Sequence, residues 1–221
     1  MSYGFNLKGI SLKEFKTILK ESYLIPSMRV LLEDLDKHLD LLTDYGIENM
    51  SEFYLQSKTK KKAEVLAEKT GMDLDYMIVL RRMVSSYIPK PRKLEDFTDM
   101  NDDLLKRLIH MGIKNSLALD DYLKSHSEEE AAAQLAVDVE LIKTFKKLLK
   151  VSELRYISPA FATVLVRGGY DTIDKLAQAD SKTLLKTIVD TNKKFQIYKG
   201  NIGDSDSRFI IDDAKIYLKY S

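Results

Sequence analysis

Phe161-Ala-Thr-Val-Leu-Val-Arg-Gly168-Gly169-Tyr-Asp-Thr-Ile-Asp-Lys-Leu176 decides the fold class. Phe161, Val164 and Leu165 form an apolar helix face that runs into Gly168-Gly169. Tyr170 follows, then a polar capping pair (Asp171, Thr172), then a second apolar stripe through Ile173, Leu176 and Ala177. This is a helix, a glycine stop and a new helix start. Glycine takes the left-handed φ that a helix C-terminus requires, at no Cβ penalty. Asp171, with Asp174 three residues on, is expected to accept hydrogen bonds from the free N–H groups of the next helix. The same word occurs twice earlier. Leu108-Ile-His-Met-Gly112-Ile113-Lys-Asn115 leads to a helix through Leu119 and Tyr122, and Leu41-Leu-Thr-Asp-Tyr-Gly46-Ile47-Glu-Asn49 to one through Phe53 and Leu55.

Around these words the chain reads as helix throughout. Ser11-Leu12-Lys13-Glu14 and Ser127-Glu128-Glu129-Glu130 are capping boxes. After Pro26, the residues Met28, Leu31, Leu32, Leu35, Leu39 and Leu42 predict one long helix ending at Gly46. Ala131, Leu135, Val139, Ile142 and Phe145 predict another continuous helix, and Ser181 to Asn192 a third. No segment sustains period-two alternation, so the fold class is all-α. Phe97–Gly112 and Leu154–Gly169 align without gaps, placing Leu104 with Phe161 and Leu108 with Leu165. Pro89-Lys90-Pro91 interrupts any helix. The expected domains are therefore 1–88, helical with one repeat, and 92–221, carrying two.

Composition excludes more than it assigns. The 35 basic and 34 acidic side chains of the 221 residues leave a net charge of +1, so any polyanion must be held by a local patch. With no Cys, disulfide and thiolate chemistry are excluded and a reducing, cytoplasmic setting is expected. No apolar run spans a bilayer, and Met1-Ser-Tyr-Gly-Phe-Asn lacks the core of a signal peptide, so no membrane partner is expected. The three His (His38, His110, His126) are scattered, and Asp204, Asp206, Asp212 and Asp213 lack calcium-loop spacing. No nucleophile or phosphate-loop motif occurs. The expectation is a protein that is not an enzyme and has no cofactor, metal or evident small-molecule substrate.

The order Ile10-Ser11-Leu12, Leu24-Ile25-Pro26-Ser27, Gly46-Ile47, Leu80-Arg81-Arg82, Pro89-Lys90-Pro91, Gly112-Ile113-Lys114-Asn115, Gly169-Tyr170-Asp171-Thr172 and Lys199-Gly200-Asn-Ile202-Gly203 is similar to an uncharacterised bacterial family. That family carries a helix-hairpin-helix-like (SAM-like) domain of unknown function in its C-terminal half. The resemblance implies tandem helix-hairpin-helix units and binding to nucleic acid or protein; it implies no catalytic residues.

Hairpins of this type grip phosphate through Gly-apolar-Gly amides. Here the third copy has Ile157-Ser158-Pro159-Ala160, and the second Met100-Asn101-Asp102-Asp103, whose carboxylates repel phosphate. Ser158 is an N-cap in one reading and, with Arg155 and Arg167, a secondary phosphate contact in the other. The densest basic feature is Lys58, Lys60, Lys61 and Lys62, which Lys69, Arg81 and Arg82 extend if their helices pack side by side. It is a solvated helix start in one reading and a nucleic-acid contact in the other. Tyr45, Phe53, Tyr54 and Tyr122 fall at helical spacing and are expected in the core. The expected function is weakly sequence-selective nucleic-acid binding at this N-terminal patch, the alternative a protein-interaction or scaffolding module.

Overall fold

The computed structural model describes residues 4–221. Among them helices are the only extended elements, and β-structure is limited to two isolated bridges, Ser11 with Asn49 and Lys93 with Asn115. The chain divides into two compact units: residues up to Ile88 together with Asp212–Ser221, and Pro89–Ile211. Grouping 92–221 together is thus not what the packing does with the last ten residues. In the first unit the Tyr217 ring meets Phe5 edge-on at 5.1 Å, and Asn6 N–H donates to Tyr220 C=O at 2.6 Å.

The first unit contains α1 (Leu12–Glu21), α2 (Leu35–Asp44), α3 (Met50–Ser57), α4 (Lys60–Thr70) and α5 (Leu74–Ser86). Ser11 and Glu14 form the capping box of α1, and the Ser11 N–H and hydroxyl, donating to the Glu14 carboxylate at 3.0 and 2.9 Å, hold that carboxyl below its usual pKa. The long helix expected after Pro26 is broken. Pro26–Leu32 is a 3-10 helix, and Asp34 takes φ 46° before α2 begins. Asp tolerates the left-handed region better than most residues, so a Leu-rich stripe there continues across two elements. Phe15, Leu31, Leu42, Phe53, Met77 and Leu80 are all but fully buried and form the core of this unit.

The second unit contains α6 (Asp102–His110), α7 (Ser116–Ser125), α8 (Glu128–Leu135), α9 (Val139–Val151), α10 (Pro159–Arg167), α11 (Ile173–Ala177) and α12 (Ser181–Phe195). In α13 (Asp204–Tyr220), residues to Ile211 belong to this unit and the rest to the first. The continuous helix expected over Ala131–Phe145 is two helices. Ala136 takes φ 48°, Val137 N–H bonds Ala132 C=O at 3.0 Å, and Asp138 caps α9 through Glu140 N–H. The 3-4 apolar spacing carries on through the break, so periodicity alone does not reveal it.

Three helix junctions share one hydrogen-bond pattern. Tyr45, Met111 and Gly168 end α2, α6 and α10. Gly46, Gly112 and Gly169 follow with φ of 91°, 81° and 91°. Their N–H groups bond the carbonyls of Thr43, Ile109 and Val166, and the next N–H reaches back to Leu42, Leu108 and Leu165 at 2.9, 2.9 and 3.0 Å. This is the Schellman closure, which satisfies otherwise orphaned carbonyls. Asn49, Asn115 and Thr172 then cap α3, α7 and α11. In each copy the first helix also packs on the third: α2 on α4, α6 on α8, and α10 on α12.

Candidate nucleic-acid interface

α4 opens with Lys60, Lys61 and Lys62 behind the N-cap Thr59, whose hydroxyl accepts from Lys62 N–H at 3.3 Å. No acid lies in that first turn. The positive end of the helix dipole disfavours cations there, each by roughly 0.3–1 kcal/mol when exposed. The contrast is α8, whose first turn holds Glu128, Glu129 and Glu130. Three ammonium groups and free helix N–H groups therefore sum to a local positive field.

One turn further, the surface of α4 forms the wall of a groove. Lys61, Val65 and Lys69 recur at intervals of four, with Lys62 and Leu66 beside them; Leu55 and Gln56 of α3, with Tyr45, complete the lining. The groove is about 380 Å³, and no carboxylate lines it. Lys62 Nζ donates to Leu55 C=O at 3.2 Å, in the last turn of α3, where the negative end of that helix holds the charge over the groove. Leu55, Val65 and Tyr45 are 54%, 42% and 37% exposed, while Leu66 beneath them is buried.

The sequence-derived candidates separate on this geometry. Lys61 and Lys62 line the groove, and Lys69 joins them. Lys58, the C-cap of α3, and Lys60, 3.9 Å from Glu64, lie outside its lining, as do Arg81 and Arg82. The tight turn at Gly71-Met72 folds α5 back on α4, so Arg81 and Arg82 lie toward the end of the pair where α4 starts. Arg82 is exposed; Arg81 is half-buried, and its buried Nε has no hydrogen-bond partner among the described residues. Phe53 is core, as its spacing implies, but Tyr45 is not. Leu55 and Tyr45 fall on helical spacing in the sequence, and only the placement of α4 shows them facing solvent together with Val65.

The secondary phosphate candidates are committed elsewhere. Ser158 Oγ accepts from Phe161 N–H at 3.2 Å and caps α10. Arg155 is 4% exposed and lies over the Phe209 ring at 4.9 Å. Arg167 donates to Asp99 at 2.6 Å and covers the Phe195 ring. Asp171 is not the cap of α11, since Thr172 takes that place. Instead Asp171 accepts from Lys147 at 2.8 Å and Lys175 at 2.6 Å, and these bonds pull its pKa down to about 2.

A second acid-free groove, of about 800 Å³, lies in the other unit and carries Lys193 and Lys199 beside Val189 and Tyr198. Its polar groups are largely occupied. Asn192 holds the loop through Ile197 N–H, Tyr198 N–H and Tyr198 C=O, and the Tyr198 ring packs on Phe161. Among the described residues no group of three His, Asp or Glu side chains is placed to hold a metal ion, and no helix is long and apolar enough to cross a membrane. The C-terminal carboxylates have other partners: Asp204 pairs with Arg208, Asp206 accepts from Gly203 N–H, and Asp212 from Tyr23 N–H.

A family model described as a domain of unknown function, DUF4332, matches residues 98–203. That span covers α6 to α12 and the second and third junctions, and it leaves the α3–α4 groove outside. No curated protein and no solved structure matches the chain.

Proposed function

We propose that this is a non-catalytic, cytoplasmic binding protein that holds nucleic acid through its phosphates at the basic end of α4, using Lys58, Lys60, Lys61 and Lys62 with Arg81 and Arg82. The observation that carries this reading is the groove wall, where Lys61, Lys62 and Lys69 face one space without a carboxylate. In a chain of net charge +1 such a patch is the means of attracting a polyanion. On this reading the three junctions are helix-hairpin-helix repeats arranged in two domains, and those of the second unit serve as architecture. Their hairpins offer Pro159, Asp102 and Asp103 where a phosphate-gripping turn offers free amides.

Phosphate contacts of this kind are weakly sequence-selective and fall steeply with salt. Lys60→Glu, Lys61→Glu and Lys62→Glu together should abolish binding in a filter assay at low salt. The fold should persist, because exposed charges contribute little to stability and acids suit a helix start. Unchanged affinity in the triple variant removes the reading.

The exposure of Tyr45, Leu55 and Val65 favours a second reading, a protein-interaction module that docks an acidic, apolar peptide on the same groove. A pull-down scored for both nucleic acid and protein separates the two.

A further inference from the structure

We propose that the α3–α4 groove is selective for single-stranded nucleic acid, with bases laid against Tyr45, Leu55 and Val65 and phosphates on Lys61, Lys62 and Lys69. This rests on the phosphate-binding reading above and narrows it to a substrate class.

The argument is one of complementarity. A duplex presents phosphates and groove edges, while its base faces are stacked inside. Against a duplex the apolar wall would face charged backbone and strip water from phosphates without returning a hydrogen bond. A single strand presents both a charged backbone and unstacked π-faces. A cationic groove with an aromatic platform suits that pair of surfaces, and stacking tolerates any base. Tyr45 stands 37% exposed in the groove lining, away from the core that its spacing implies. The groove follows α4 from Lys61 to Lys69, about 12 Å of helix at 1.5 Å per residue, which is room for a few nucleotides. Gln56, on the α3 wall, adds an amide able to donate to or accept from a base edge.

Fluorescence anisotropy on the full chain tests this, using a dye-labelled single-stranded oligonucleotide and its blunt duplex. The single strand should bind at least about tenfold tighter than the duplex at equal ionic strength, a margin one stacked base can supply. Its log affinity should fall with log salt at a slope of about −2, as three phosphate contacts on a single strand imply. Tyr45→Ala should weaken the single strand about tenfold and leave the duplex unaffected, while Tyr45→Phe should bind as the parent does. Far-UV circular dichroism checks folding, and Leu55→Ser provides a second groove variant with the same direction of effect. Equal binding of strand and duplex, or an unaffected Tyr45→Ala, overturns this inference; the broader reading then survives if the triple lysine variant still loses both ligands. Binding of neither ligand overturns both. Displacement of the strand by poly-glutamate at equal charge concentration, or loss of binding through Lys193→Glu and Lys199→Glu instead, also overturns the inference, in favour of a protein partner or of the other groove.

Discussion

The first and third helix junctions have the same backbone and opposite surfaces. Both close on a glycine at φ 91° with the same pair of carbonyl bonds, and in both the first helix packs on the third. They differ at the residue before that glycine. In the third junction it is Gly168, where an added Cβ would sit 3.1 Å from Thr187 Cγ2 and 3.2 Å from Thr191 Oγ1. Helix α12 therefore lies directly over the turn. In the first junction it is Tyr45, and its ring lines an open groove against α4. Charge follows the same division. The arginines near the third junction are buried or paired, as Arg155 and Arg167 show, while Lys61, Lys62 and Lys69 of the first unit face an acid-free space. A repeated architecture thus makes one copy a closed support and leaves another as a surface, and a single side-chain position marks the difference.

The largest effect should come from forcing the third copy to resemble the first. Gly168→Tyr sets a side chain where Thr187 and Thr191 of α12 already lie within 3.2 Å of the added Cβ. Overpacking of this kind costs about 3 kcal/mol or more, and urea denaturation should report it. A loss below about 1 kcal/mol would mean that contact with α12 does not distinguish the copies.

The next effect concerns Asp171, which Lys147 of α9 and Lys175 of α11 clamp from two sides. Its pKa, lowered from 3.8 to about 2, is depressed on folding. The carboxylate therefore stabilises the protein above about pH 4, and that contribution is lost as pH falls from about 4 towards 2. With the side chain 17% exposed, the contribution amounts to at most about 2 kcal/mol. Asp171→Asn should lose that much at pH 7 and flatten the acid limb of the stability curve below pH 4. Glu48 holds the equivalent place in the first junction and makes no ion pair among the described residues, so Glu48→Gln should be nearly neutral.

How much of this was legible follows from where each signal resides. The all-helical class lies in local features: glycine after an apolar stripe, a polar cap three residues on, and capping boxes at Ser11 and Ser127. Breaks without glycine are silent. Asp34 and Ala136 take positive φ inside unbroken apolar periodicity; Asp tolerates that region, but Ala has no propensity for it that would mark the break. The lysine run is visible in the sequence, but the groove is not, since Tyr45, Leu55 and Val65 come from the end of α2, from α3 and from α4, and meet only when α4 is placed against α3. Asp171 and Thr172 are both plausible caps by residue type; Lys147, distant in sequence, draws Asp171 away. The availability of Arg155 is also non-local, because Phe209 reaches it from α13.

A smaller effect than that of Gly168→Tyr should come from the reverse exchange, Tyr45→Gly. In the third copy glycine permits close packing, but in the first the groove beside Tyr45 is already open. Tyr45 is 37% exposed and ends α2 with φ −77°, a conformation open to any residue. The loss is then confined to the backbone entropy of glycine and a partly buried aromatic ring, about 2 kcal/mol in urea denaturation. Single-strand affinity should fall about tenfold in the same variant. A side chain that matters little to folding and much to binding is a contact residue. If the variant instead loses more than about 3 kcal/mol, Tyr45 belongs to the core, and the contrast between an open first junction and a closed third one fails at the position that defines it.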